Sequence, residues 1–280
     1  MLARFEQTAM AWKTLALRLL ARRFLPDNYG PLDNVPLDFY FEHFAPGRLK
    51  GYDGESEASA ALSRVAGHTM ISYERAITLY QQVCHLEESG IEGALVECGV
   101  WKGGAAALMA LANLEHGRTR REIHLFDSFQ GLPEPSSRDG QHDIAKAQRL
   151  AGRSLDGSGA LRPVGWDRAS REDSEALLRE VGYPLQHVHY HEGWFQDTLA
   201  RSDFGDIALL RLDGDWYDST KACLDVLYPR VVPGGFVVID DYGHREGCRA
   251  AVTDYRREHG IGEFLHHIDA TGRYLIKPRV

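Results

Sequence analysis

The sequence predicts an α/β protein, a mostly parallel sheet with helices on both faces and an antiparallel strand at its C-terminal end. Two observations carry this. From about residue 92, short runs rich in β-branched and other apolar residues alternate with helical patterns, and strands that are apolar throughout belong to sheets covered on both faces. The chain then closes with EFLHHIDATGRYLIKP, in which two short runs flank Asp269–Gly272, a hairpin signal.

The expected strands are ALVEC (94–98), EIHLF (122–126), HVHYH (187–191), IALLRL (207–212) and FVVID (236–240). Helical stretches are expected near 103–115, 171–182, 216–229 and 246–258, and two more precede the first strand, near 57–66 and 71–88. In the last of these Ile71, Ala76, Leu79, Val83 and Leu86 fall on one stripe at helical spacing. Residues 26–56 are rich in Pro, Gly, Asn and Asp and read as loop. Residues 133–166 form a long polar connection, and connections of that length are commonly lids or disordered segments.

Composition narrows the function. A chain of 280 residues with 44% hydrophobic and 26% charged residues is an ordinary soluble globular protein, able to build a core without staples. The net charge of −8 argues against a nucleic-acid binder. Cys84, Cys98, Cys223 and Cys248 contain no C-x-x-C pair and read as reduced thiols of a cytoplasmic protein. No apolar run approaches the roughly 18 residues of a membrane span. The first 24 residues have a basic amphipathic helical pattern interrupted by Lys13 and Arg18. It reads as a docking or dimer-contact helix, with membrane-surface association as the alternative.

The segment LVECGVWKGGAA (95–106) is strand, glycine turn and helix start. Glycines there supply positive φ and allow a ligand close to the backbone, and the helix start offers unpaired N–H groups. It is not G-x-G-x-x-G, so the dinucleotide fingerprint is absent. The next strand ends at Asp127, where an acid at a carboxyl end can hold both hydroxyls of a ribose; a tight turn capped by the aspartate is the plainer alternative. Glu97 lies inside the first strand, where a carboxylate is costly unless paired. A ligand amine would pair it and a pyrophosphate would be repelled, which favours S-adenosylmethionine over a dinucleotide.

Five aspartates follow. RLDGDWYDST carries Asp213, Asp215 and Asp218, and VVIDDYG carries Asp240 and Asp241. Asp213 and Asp215 are two apart on an extended segment and point to one side. The strands they leave are neighbours in a doubly wound sheet, so Asp240 and Asp241 converge on the same place. Such convergence calls for a cation, and hard oxygen donors suit Mg²⁺. Three aspartates for the metal and one for a general base account for four of the five. Asp218 reads as the N-cap of the next helix. Trp216 and Tyr217 can line an acceptor pocket or simply pack.

Smaller signals have mostly plain readings. His187, His189 and His191 alternate on one face of a strand; that face is more simply solvated or covered than a zinc site. His244 reads as a loop residue with substrate contact as the alternative, and Cys98 as a small buried side chain. Arg75 either pairs with the carboxylate of the bound cofactor or lies on an exposed helix face.

Together, LVECGVWKGG, LFDSFQGLPEP, EGWFQDTL, LLRLDGDWYDST and VVIDDYGHREGCRAAV, in order over about residues 90–258, resemble the macrocin O-methyltransferase (TylF-type) family. The resemblance implies a Rossmann-like class I methyltransferase fold with a seven-stranded sheet, dependence on S-adenosylmethionine and Mg²⁺, and methylation of a sugar hydroxyl on a glycosylated natural product. It implies Asp213, Asp240 and Asp241 as metal ligands and Asp215 as general base. It implies Glu97, Gly99, Asp127 and Ser128 at the cofactor, Gly193 and Trp194 near its adenine, and Thr69, Met70 and Ile71 closing over its methionine end. The expected organisation is an N-terminal arm (1–56), a methyltransferase domain (57–280) and a lid or acceptor loop at about 133–166. The expected partner is a small sugar-containing acceptor, with no nucleic acid or stable membrane insertion, on a chain that forms a homodimer. The first 55 residues and the lid depart from the antibiotic-modifying enzymes, so another glycan, a glycolipid or a natural-product scaffold are alternative acceptors. A catechol-like acceptor that chelates the same metal, a nucleotide-dependent dehydrogenase and a non-catalytic cofactor-binding protein are the rival readings.

Overall fold

The structure, a computed structural model, describes residues 49–279; the expectations for the N-terminal helix and most of the arm lie outside the described residues. The order is α1 (Glu55–Val65), α2 (Tyr73–Glu88), β1 (Ala94–Cys98), α3 (Gly104–His116), β2 (Ile123–Asp127), α4 (Gln141–Ala151), α5 (Arg171–Glu180), β3 (Val188–Glu192), α6 (Phe195–Thr198), β4 (Ile207–Leu212), α7 (Tyr217–Leu227), β5 (Val231–Ile239), α8 (Glu246–Glu258), β6 (His266–His267) and β7 (Arg273–Ile276).

The strands form one seven-stranded sheet in the order β3-β2-β1-β4-β5-β7-β6. β1 to β5 are parallel, and β7 runs antiparallel to β5 and pairs β6 in the expected hairpin. This is the Rossmann-like methyltransferase arrangement with antiparallel C-terminal strands. Alternation along the strands feeds two cores. Leu95, Ile123, Leu125, Leu209, Phe236 and Val238 face α1, α2, α3 and α5. Val96, Phe126, Leu210, Leu212, Val237 and Ile239 face α7 and α8. Every residue of β1 and β4 is buried, and each buried aliphatic side chain contributes about 1.5–3 kcal/mol.

Three differences from the sequence reading are informative. β2 and β3 each begin one residue later than expected. β5 begins at Val231, before the expected start at Phe236, so Pro233, Gly234 and Gly235 sit inside the strand. The β4–β5 register shifts between Ile207 and Leu209 and Gly234 has φ 84°, which marks a bulge that accommodates them. The third lies in the connection 133–166, which holds a helix, α4, that was not foreseen. Isolated bridges Pro133–Pro163 and Ser136–Ser158 draw its two ends together, and the buried Glu134 carboxylate meets Arg153 at 2.6 Å and Arg162 at 2.8 Å. Ala147, Val164, Trp166 and Trp216 make a small third core beneath it. Among the described residues no helix is long and apolar enough to cross a membrane.

Candidate active site

The carboxyl ends of β1, β2, β4 and β5 carry Glu97, Gly99, Asp127, Ser128, Asp213, Asp215, Asp240 and Asp241, while Gly193 and Trp194 follow β3 and Thr69, Met70 and Ile71 precede α2. Gly99 ends β1 at φ 90°, and a Cβ there would stand 2.0 Å from the Asp213 carbonyl oxygen. The glycine is therefore required by the chain's own backbone at the end of β4 rather than by ligand approach alone. A Cβ on Gly104 would meet the His68 carbonyl at 2.4 Å and Thr69 Cβ at 2.7 Å, so the segment 69–71 lies over the start of α3. Thr69 and Ile71 are half-buried there, and Met70 is 58% exposed.

Asp127 builds the turn. Its Oδ2 accepts from Val100 N at 2.7 Å and Trp101 N at 3.0 Å, and its Oδ1 from Phe129 N at 2.7 Å. The turn-capping reading is the one the structure shows, with three backbone N–H groups on the carboxylate. Burial pushes its carboxyl up against those three bonds. Ser128 is buried, donating to Gly131 O at 3.2 Å and accepting from Gln130 N at 3.1 Å. Gly193, at φ 142°, donates its N–H to Asp127 O at 2.9 Å, which sets Trp194, half-buried at the start of α6, beside the end of β2.

Glu97 has a partner that sequence reasoning missed. It faces Arg211 across the β1–β4 register and accepts from Arg211 Nη1 at 2.6 Å. A ligand amine is thus not needed to neutralise it. Its Oε2 is buried without a hydrogen-bond partner, and burial raises its carboxyl to about 8 against the pull of Arg211. Arg211, 2% exposed, also donates from Nη2 to Asp213 Oδ2 at 2.9 Å and Asp240 Oδ1 at 2.7 Å. The other oxygen of Asp240 accepts from Arg75 Nη1. Arg75 is therefore neither on an exposed face nor idle.

Carboxylate oxygens of Asp213, Asp215 and Asp241 lie within 4.8 Å of one another, close enough to share one ion. Asp240 stands beside this group, on the two guanidinium groups. Asp215 adopts φ 53°, a strained left-handed conformation for a non-glycine residue. Its Oδ1 accepts from Arg245 Nε at 2.9 Å. Burial raises Asp215 to about 7 against the attraction of Arg245. Burial, then the charges of Asp215 and Asp240, raises Asp241 to about 7. Asp213 is raised as well, by burial and then by Asp240. Asp241 Oδ2 is buried with no hydrogen-bond partner. A set of hard oxygen donors that repel one another, one of them unpartnered, fits a divalent cation.

Arg245 connects this group to the connection 133–166. It donates from Nη1 to Asp143 of α4 at 2.5 Å and lies over the Trp166 ring, 4.7 Å from its centroid. Asp218 is not the N-cap of α7: the helix begins at Tyr217, and Asp139 accepts from Tyr217 N at 2.8 Å in its place. Trp216 is packed against Trp166 and donates Nε1 to Pro133 O at 2.9 Å; it does not line an open pocket. His187 and His189 both reach Glu122, at 2.7 Å and 2.5 Å, and His191 stacks on Phe126. That face is a hydrogen-bonded and stacked surface, and the metal-competent group found among the described residues is the aspartate set. Cys98 is fully buried.

Comparison with known proteins places the chain. The family model for macrocin-O-methyltransferase (TylF) matches residues 43–277. A tetracenomycin-modifying enzyme of Streptomyces olivaceus, described as an 8-demethyl-8-(2,3-dimethoxy-alpha-L-rhamnosyl)-tetracenomycin-C 4'-O-methyltransferase, is 37% identical over 81% of this chain and 84% of its own. Demethyldecarbamoylnovobiocin O-methyltransferase of Streptomyces niveus is 35% identical over 76% of each chain. Mycinamicin III 3''-O-methyltransferase of Micromonospora griseorubida is 33% identical over 74% of this chain and 77% of its own. Among solved structures, the O-methyltransferase NovP superposes with a TM-score of 0.66 at 33% identity, over 76% of this chain and 83% of that one. With its motifs, its sheet order and its clustered aspartates, the chain belongs to the macrocin O-methyltransferase (TylF) family.

Proposed function

We propose that this protein transfers the methyl group of S-adenosylmethionine to a sugar hydroxyl of a glycosylated natural product, with Mg²⁺ at the aspartate group and Asp215 as general base. The observation that carries the reading is the approach of Asp213, Asp215 and Asp241 to within 4.8 Å at the carboxyl ends of β4 and β5, in a family whose related members are described as methylating tetracenomycin, novobiocin and mycinamicin compounds. Glu97, Gly99, Asp127 and Ser128 would hold the cofactor, with Gly193 and Trp194 beside its adenine and Thr69, Met70 and Ile71 over its methionine end. Asp213 and Asp241 would hold the ion, with Asp240 as the third carboxylate.

A divalent cation bound there lowers the acidity barrier of a sugar hydroxyl, which alone is a weak nucleophile. The protein's own groups do the rest. Arg245 fixes Asp215 through Oδ1 and leaves Oδ2 to take the hydroxyl proton. The acceptor oxygen then forms its bond to the methyl carbon as the carbon–sulfur bond breaks, giving a methyl ether and S-adenosylhomocysteine. Positioning supplies much of the rate. The connection 133–166, closed over Arg245 by α4, would cover the acceptor. The free cysteines suit a reducing, cytoplasmic setting. The homodimer is part of the same proposal and rests on an N-terminal helix outside the described residues.

The test is product identification. The protein is incubated with methyl-labelled S-adenosylmethionine, Mg²⁺ and two acceptors, a rhamnosylated polyketide and a catechol. A labelled ether on the sugar supports the reading. Label on the catechol alone moves the acceptor class, and cofactor binding with no label on either supports the non-catalytic alternative.

A further inference from the structure

We propose that Arg75 is a positioning residue that competes with the divalent cation for Asp240, so that binding of the ion exchanges one bond of this arginine; the inference rests on the metal reading above. Asp240 is the carboxylate of the motif that the metal-competent group leaves out. Both its oxygens are taken, Oδ1 by Arg211 at 2.7 Å and Oδ2 by Arg75. It is nonetheless adjacent to the group, because Arg211 Nη2 bridges it to Asp213 Oδ2, which lies 2.9 Å from the same nitrogen.

Each partner can give up the Arg75–Asp240 bond without being stranded. Asp240 would keep Arg211 on Oδ1 and turn only its other oxygen. Arg75 would keep Asp269, whose Oδ2 accepts from Arg75 Nε at 3.0 Å. That second acceptor is built into the fold. Asp269 Oδ2 also accepts from Ser72 Oγ at 2.6 Å, and its Oδ1 accepts from Gly272 N at 2.6 Å and Thr271 N at 2.8 Å. A guanidinium that would otherwise be left buried and unpaired is costly, and Asp269 removes that cost. A cation satisfied by Asp213 and Asp241, with Asp241 Oδ2 already lacking a partner, therefore gains Asp240 at the expense of a single exchanged ion pair.

The placement of Arg75 extends the consequence. It lies in the first turn of α2, where Ser72 caps the helix by accepting from Arg75 N at 3.1 Å. The segment 69–71, over the start of α3, immediately precedes that cap. The arginine that yields to the ion thus sits at the root of the segment proposed to cover the cofactor.

The experiment is calorimetric titration of Mn²⁺ into the full chain, as wild type, Arg75→Gln, Asp240→Asn and the double variant, with thermal melts to confirm folding. Arg75→Gln should bind Mn²⁺ about tenfold more tightly than wild type, consistent with release of a close ion pair. In the Asp240→Asn background the same change should alter affinity little. Arg75→Lys, which keeps the charge but donates from a single point, should fall between wild type and Arg75→Gln, and it serves if the glutamine variant does not fold. Unchanged or weaker Mn²⁺ binding in Arg75→Gln, or a gain that persists with Asn at 240, overturns the inference and leaves the metal reading standing. Absence of Mn²⁺ binding by wild type and every Arg75 variant overturns the metal reading itself.

Discussion

Glu97 of β1 and Arg211 of β4 stand opposite each other in the parallel register, 2.6 Å apart and both almost fully buried. The pair explains why the sheet tolerates an acid inside its first strand. It also ties that acid to Asp213 and Asp240 through the other end of the same guanidinium. Arg211→Met leaves three carboxylates without their common countercharge and should cost about 3–5 kcal/mol of stability. Urea unfolding reads this directly; a loss under about 1 kcal/mol, the scale of an exposed pair, would mean that the acids are solvated.

Asp215 adopts φ 53° and its side chain accepts from Arg245 Nε at 2.9 Å. If it takes the acceptor proton, Asp215→Asn should lower turnover by about 10²–10⁴-fold while binding of S-adenosylmethionine stays near the wild-type value. Retained turnover, or loss of both, removes the base assignment.

Asp215 and Asp241 are each raised to about 7, by burial first. A carboxyl whose folded pKa lies above its unfolded value, about 3.9 for Asp, favours the folded state most below the unfolded value. That advantage is lost as pH rises from about 4 to about 7. The metal-free protein should therefore lose stability over this window. An ion held by Asp241 needs that carboxyl deprotonated, so Mg²⁺ affinity should rise over the same range. Thermal melts from pH 5 to 8, with Mg²⁺ and with chelator, should diverge as pH increases. Parallel curves would show that these acids do not meet the ion.

Gly99 has no room for a side chain, since an added Cβ lies 2.0 Å from the Asp213 carbonyl oxygen at φ 90°. Gly99→Ala should destabilise the protein by about 3 kcal/mol or more, as strain and a backbone clash combine. It should also displace Asp213. A melting temperature within a degree or two of wild type would show that the β1 turn relaxes freely.

The sequence reading recovered most of the frame because its signals were local. ALVEC and IALLRL are apolar at every position but one, Glu97 and Arg211 respectively, and appear as strands with the expected bounds. The hairpin around Asp269–Gly272 needed only its turn chemistry. What escaped depended on long-range partners. Arg211 looked like one more residue of a motif, and nothing in RLDGDW says that it meets Glu97 114 residues earlier. Arg245 was passed over for His244, although Arg245 links Asp215 to the 133–166 connection. In that connection α4 was hidden because only Asp143 and Ala147 of it are buried, too few to show a helical stripe. The start of β5 at Val231 was hidden because proline and glycines are poor strand formers, and the fold absorbs them as a bulge.

The central claim is a metal-dependent methyl transfer to a sugar hydroxyl. The most direct test follows label from S-adenosylmethionine into a rhamnosylated acceptor after the protein has been stripped with EDTA, then again after Mg²⁺ is restored. The account predicts no labelled sugar ether from the stripped protein and its return with Mg²⁺. Equal labelling in both conditions, with the chelator shown to have removed the ion, would contradict it.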